Sequence, residues 1–428
     1  MKEDFLHFLW YTQNYTLDNL VTTENELIQI RDQGAWNHDA GPDFSNAHIK
    51  IGDQEWFGNV EIHIRSSDWI LHKHQFDHAY DSVILHVVLE DDKPIFNTKK
   101  QSIKTLELSN RINQNILHQY QYLMENKYWI ACENQIPSID PLLIKINLED
   151  KLIERLQSKT LEIKQALHRQ HQDWEEVFYQ FLAKSFGYKI NALPFYMLAQ
   201  QCPISILNKV KNDLFKIQAL LFGQAGFLER DFEEDYPKKL KKEYAFQKLK
   251  YHLEPLQFSI WKFMRLRPAN FPSLRIAQFA QLVYQSDNLF SKALAATTLK
   301  EYEHMFELKM ADYWKSHFKF DKISIDRKKT FGKNSIHLIL INTICPFLFL
   351  YGHHRKQQKY IDKALFLLQS IPAEKNKITQ SFLNIGFPMD SAFESQAVLN
   401  LKKQYCDKRK CTQCKIGYEI LKKKTVKE

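Results

Sequence analysis

The sequence predicts an α+β protein: an amino-terminal α/β sandwich with a small mixed sheet, followed by a large, irregular all-α domain. Three observations predict it. Strand-period alternation is confined to residues 26–108, whereas from Leu142 onward apolar residues recur at helical spacing almost throughout. Eleven glycines in 428 residues are too few for an all-β chain with many tight turns. A hydrophobic content of 44% with 13% aromatic residues supplies ample core and excludes the disordered class. The length predicts two domains, 1–135 and 140–428, with Pro137 and Pro141 bracketing the boundary.

Taken in order, Phe5, Phe8 and Leu9 repeat at helical spacing and predict an amphipathic helix over 3–14. Residues 26–30 form a short strand. Residues 33–41, rich in Gly, Asn and Asp, form a loop that carries His38 and Asp39 and leads into Pro42-Asp43. Ala47, Ile49 and Ile51 alternate on one strand. In the next, Val60, Ile62 and Ile64 face one way and Asn59, Glu61 and His63 the other, with Gly52-Asp53 as the hairpin turn between them. Residues 82–89 are apolar on both faces except for His86, the pattern of a central, doubly buried strand. The link between these strands holds His72 and His74. They share a face if it is extended and diverge if it is helical. A further strand over 105–108 and a helix over 109–125 complete the first domain.

Asp43, Glu61 and His63 are the candidate catalytic residues. Positions i and i+2 of a strand lie on one side, so Glu61 and His63 can share an ion. Carboxylates suit magnesium or manganese, and imidazole shifts the preference toward manganese or zinc. His72, His74 and His86 are further candidate ligands of a divalent cation at this amino-terminal site. The competing reading places Glu61 and His63 on the solvated face of an edge hairpin.

Pro42-Asp43, a hairpin, and Glu61-Ile62-His63 resemble the PD-(D/E)XK nuclease signature, in which a Pro-Asp and an acid-x-Lys triplet share a metal. The resemblance implies a metal-dependent nuclease of that fold. His63 stands where the family has lysine, which leaves base, ligand or lost activity open. The whole chain resembles an uncharacterised bacterial family built on a domain of unknown function. The phrases GPDFSNAHI, GNVEIHIRSSDW, YDSVILHVV, WEEVFYQFLAKSFGYKIN, FGQAGFL, RLRPANFPSLRIAQ and YCDKRKCTQCKIG carry it, and it brings no established activity.

In the helical remainder, helices are expected over 148–169, 174–186, 194–201, 204–222, 238–254, 274–283, 287–307, 334–350, 356–370, 374–384 and 391–404, without a fixed-period repeat. Arg265, Arg267, Asn270 and Arg275 surround a loop stiffened by Pro268 and Pro272. Arginine forks match phosphate oxygens, so these four are candidate nucleic-acid contacts. The alternative is internal pairing with carboxylates or helix carbonyls. His353-His354-Arg355 and Lys422 to Lys424 add basic surface to a net charge of +9.

The residues 336–351 are the most apolar stretch and are expected to be a buried helix, too short to span a membrane. The acidic start lacks the features of a secretory signal, so the expected location is cytoplasmic, with six cysteines reduced or metal-bound. Cys406, Cys411 and Cys414, in C-x4-C-x2-C spacing, are candidate ligands of zinc or an iron–sulfur cluster, with Cys345, His353 or His354 as the fourth. Some PD-(D/E)XK nucleases carry an iron–sulfur staple at a similar place. Cys132 and Cys202 read as isolated core cysteines.

The functional expectation is a metal-dependent nucleic-acid phosphodiesterase. The alternatives are a non-catalytic nucleic-acid or protein-binding module that keeps a nuclease-like fold, and a histidine-rich metalloenzyme acting on a small molecule.

Overall fold

A computed structural model describes residues 1–37, 39–326 and 329–422. His38, Lys423 and Lys424, singled out above, lie outside the described residues. The chain is α+β, with a small mixed sheet near the amino terminus and a mostly helical remainder.

The chain divides into two compact units. The first comprises residues 1–148, 380–387 and 399–428; the second comprises 149–379 and 388–398. Sequence spacing assigns everything after residue 140 to one helical domain. The structure instead returns the cysteine-bearing segment to the first unit. Arg409 is one reason: its guanidinium donates to the carbonyls of Leu123 and Asn126. Phe8 meets Tyr418 edge-on at 5.4 Å, a second.

Within the first unit, α1 (Glu3–Thr12) buries Phe5, Phe8, Leu9 and Trp10 and packs against the sheet. The sheet holds β1 (Ile28–Asp32), β2 (Ala35–Trp36), β3 (Phe44–Ile51), β4 (Gln54–Arg65), β5 (Val83–Glu90) and β6 (Thr105–Glu107). Its order is β1-β3-β4-β5-β6, with β2 paired to β3. β1 and β4 run antiparallel to β3; β5 runs parallel to β4, and β6 to β5. A parallel step needs a crossover, and here it holds α2 (Asp68–Leu71) and two single 3-10 turns. α3 (Gln114–Glu125) follows the sheet.

Gly58 sets the approach of β4 to β5. A Cβ there would meet Ile84 Cγ2 at 2.4 Å and the Ser82 carbonyl at 2.5 Å. β4 runs longer than the 59–64 that alternation alone marks, because Gln54 to Phe57 are largely exposed and carry no apolar stripe.

The second unit is helical apart from a short hairpin, His317–Lys319 with Lys322–Ile323, which has no alternation to announce it. Two expected helices are split by capping residues: Asp213 starts Leu214–Gln224 and Thr298 starts Leu299–His304, each through its side chain. The apolar segment is longer than expected. It runs from Lys333 to Arg355, a π-helical turn (Leu340–Ile344) interrupting the α-helix. By length and composition it could cross a membrane, but 72% of its apolar window is buried inside the protein.

Candidate metal centre

The site grows from one stretch of β4. Glu61 and His63 share a face, and parallel register sets His86 of β5 directly opposite Glu61. All three are buried, so the face is lined by ionisable groups held away from water. The solvated-hairpin alternative is thereby excluded.

His72 and His74 arrive by a route that neither an extended nor a helical link supplies. His72 caps α2, and Lys73 then takes a left-handed conformation (φ 63°) before the 3-10 turn His74–Phe76. That reversal aims both imidazoles at His63. His63 Nε2 lies 3.0 Å from His72 Nδ1, and the His63 and His74 rings stack at 5.4 Å. One nitrogen from each of His63, His72 and His74 falls within 4.8 Å of the others. Glu61 Oε1 joins from the side, 3.6 Å from His63 Nε2 and 3.5 Å from His74 Nε2. Ligands about 2.1 Å from a zinc ion form a tetrahedron with edges of about 3.4 Å. The spacing therefore fits a single ion. His74 Nε2 is buried with no hydrogen-bond partner, as a ligand atom would be.

Trp69 forms the wall. It is fully buried, donates its indole N–H to the Phe96 carbonyl, and meets His74 and His86 edge-on at 5.2 and 5.5 Å. Tyr80 stacks on His74 at 3.7 Å. His86 Nε2 lies 2.8 Å from His63 Nδ1, which fixes the His63 ring with its other nitrogen toward the cluster.

Asp43 is placed by its neighbours rather than beside the histidines. Its backbone N–H donates to Glu61 Oε2, and its Oδ2 accepts from the Ile62 N–H. His7 Nε2 of α1 stands 3.1 Å from the same oxygen. Asp43, Glu3 and His7 form a second group whose ligand atoms lie within 4.8 Å of one another. The acids expected to share one ion are thus hydrogen-bonded neighbours, yet among the described residues Asp43 belongs to the group with Glu3 and His7, and Glu61 to neither close group. His7 and Glu3 escape the sequence reading because they sit on an ordinary amphipathic helix. Only their i, i+4 spacing marks them as neighbours on one face.

Burial dominates the electrostatics. It pushes the Glu61 carboxyl up to about 9, reinforced by the charges of Asp43 and Glu3. Burial and then the neighbouring His72 and His74 drive His63 down to about 3. His74 is lowered for the same reasons, and His86 falls well below its ordinary value. Burial raises Glu3 to about 7. At His7 burial acts downward, but the hydrogen bond and charge of Asp43 outweigh it and the net shift is upward. Glu61 is therefore protonated beside neutral His63 and His74 at neutral pH. The short Glu61–His contacts are neutral ones, and a dication would gain a carboxylate by displacing one proton.

The remaining candidates lie elsewhere. Arg275 is buried, donating to Tyr188 Oη and Asn270 Oδ1 at 2.6 Å and to Gln278 Oε1 at 2.9 Å. Arg275 and Asn270 are thus engaged internally, and burial lowers the arginine's proton affinity. Arg265 and Arg267 are exposed. Cys345, His353 and His354, considered as a fourth ligand for Cys406, Cys411 and Cys414, lie in the second unit. Cys132 does not: it lies in the first unit, within electrostatic reach of Cys411 and Cys414.

Fold and side chains together define an α+β protein with a histidine–carboxylate cluster built from the inner strands of a mixed sheet and the crossover that follows β4. The chain belongs to the family described as "Protein of unknown function (DUF2851)", whose model matches residues 3–377. No curated protein and no solved structure matches it.

Proposed function

We propose that this protein is a metal-dependent hydrolase whose cation is held by His63, His72 and His74, with Glu61 beside them. The observation that carries the reading is the convergence of those three ring nitrogens within 4.8 Å. An imidazole-rich donor set favours zinc or manganese over magnesium. A bound cation would lower the pKa of a water molecule and stabilise developing negative charge. Glu61 would give up its proton when the ion binds. His86 would hold the His63 ring in register, and Trp69 and Tyr80 would keep bulk water from one side.

The substrate favoured is a nucleic-acid phosphodiester. Pro42-Asp43 leads into β3 and Glu61-x-His63 lies on the antiparallel β4, joined through the Asp43 N–H, in the order of the nuclease signature. A specific observation keeps a second reading in play: the three-ligand group is all imidazole, which suits a zinc enzyme acting on a small ester or amide.

The test is to purify the protein, supply Mn²⁺ or Zn²⁺, and offer labelled single- and double-stranded DNA and RNA. Cleavage is expected, with about a thousand-fold or greater loss in the His63→Ala/His72→Ala double variant. Tight zinc without nucleic-acid turnover favours the second reading. No metal and equal rates for wild type and variant overturn both.

A further inference from the structure

Three cysteines near the carboxyl-terminal end and one far upstream occupy the same corner of the first unit. Cys406 ends a π-helical turn (Lys402–Cys406), Cys411 opens a 3-10 turn (Cys411–Gln413), and Cys414 follows it directly. The Cys414 N–H donates to the Cys411 carbonyl, and the Tyr418 N–H to the Cys414 carbonyl. The helix Lys415–Lys422 closes hard on this knuckle: a Cβ on Gly417 would lie 2.2 Å from the Cys411 carbonyl oxygen.

Arg409, in the left-handed conformation (φ 53°), reaches from the same loop to Leu123 and Asn126. The Asn126 side chain in turn donates to the carbonyl of Ala131, the residue before Cys132. That chain of hydrogen bonds brings Cys132 to the knuckle. Its thiol is an electrostatic neighbour of Cys414 and Cys411, and Cys406 counts Cys414, Cys132 and Cys411 among its own neighbours.

We propose that Cys132, Cys406, Cys411 and Cys414 form a four-thiolate site for a polynuclear iron–sulfur centre. The donor count is complete, since such centres take four cysteine ligands. The spacing bears on the metal. Thiolates 2.3 Å from one zinc ion would stand about 3.8 Å apart. Among the described residues no three cysteine sulfurs lie within 4.8 Å of one another, a separation that a polynuclear centre can span. On ligation each Sγ–H releases its proton to solvent and each sulfur forms one Sγ–Fe bond. Iron and inorganic sulfide supply the rest of the centre.

The site would tie residue 132 to residues 406–414 across the excursion that includes residues 149–379. It is independent of the histidine cluster and stands or falls separately.

The experiment is anaerobic purification of the full chain from iron-replete cells, followed by assay of iron, acid-labile sulfide and zinc and by visible absorption. Iron and sulfide in near-equal amounts, with a charge-transfer band, are expected. Cys132→Ser should lose most of both. Cys202→Ser, a buried cysteine of the second unit, should keep them. Zinc alone or no metal in wild type overturns the proposal whatever the variants do. Full iron content in Cys132→Ser removes Cys132 from the ligand set and overturns it equally.

Discussion

Glu61 and His63 are two positions apart on one strand, yet burial drives their proton affinities in opposite directions. Both shifts act on stability. The Glu61 carboxyl is raised in the folded state, so its contribution is full below the ordinary carboxyl range and is lost as pH rises toward about 9. His63 is lowered to about 3, so its contribution is full above the ordinary imidazole value and is lost as pH falls through that window. Metal-free protein should therefore be most stable between the two limits. Glu61→Gln should flatten the alkaline fall in melting temperature while leaving the acid side unchanged. An unchanged alkaline limb would show that Glu61 ionises normally. The same proton should appear in cation binding: calorimetry in buffers of different ionisation enthalpy should register about one proton released per ion near neutral pH, and none in Glu61→Gln. His86 is a positioning residue. His86→Leu should retain the fold by circular dichroism and weaken cation affinity about 10–100-fold through the unanchored His63 ring.

At the scale of elements, the crossover between β4 and β5 decides whether the cluster exists. Lys73 pays for its left-handed backbone so that His72 and His74 turn toward one point. Lys73→Gly should be neutral or stabilising by up to about 1 kcal/mol. Lys73→Ile should destabilise by about 1–3 kcal/mol, because a β-branched residue resists that conformation. Thermal melts distinguish the two, and equal melting temperatures would refute the argument. The neighbouring strands make a second demand. Gly58→Ala places a methyl against Ile84 and the Ser82 carbonyl and should destabilise by about 1–3 kcal/mol, read by urea denaturation.

Much of this was legible in the residues. Alternation at Val60 to Ile64 gave the strand, its buried backing and the shared face of Glu61 and His63. The direction of His72 and His74 was not, because a lysine in the left-handed region has no sequence mark; glycine and asparagine are the residues that usually announce it. Helix splits at Asp213 and Thr298 were masked by apolar residues that continued on both sides.

For the whole molecule, the divergence from expectation lies in which parts belong together. Helical period says nothing about which sheet a late helix joins, so residues 399–422 read as the end of a helical domain. They pack instead with α1 and α3, Arg409 reaching Leu123 and Tyr418 meeting Phe8. The same blindness made Cys132 look solitary, because its neighbours in space lie in a distant part of the chain. Deleting everything after residue 398 should therefore destabilise the first unit, exposing residues 114–125 to limited proteolysis while sparing the fragment 174–186. Equal protection of both segments would contradict the assignment of the late segment to the first unit.

That return of the chain has a consequence for biosynthesis. A ribosome makes the strands and histidines first and the helix that finishes their unit last, after the intervening helical unit has emerged. Until then the surface of Phe8 that Tyr418 will cover stays open, so the first unit is completed only once the intervening helical unit has been made.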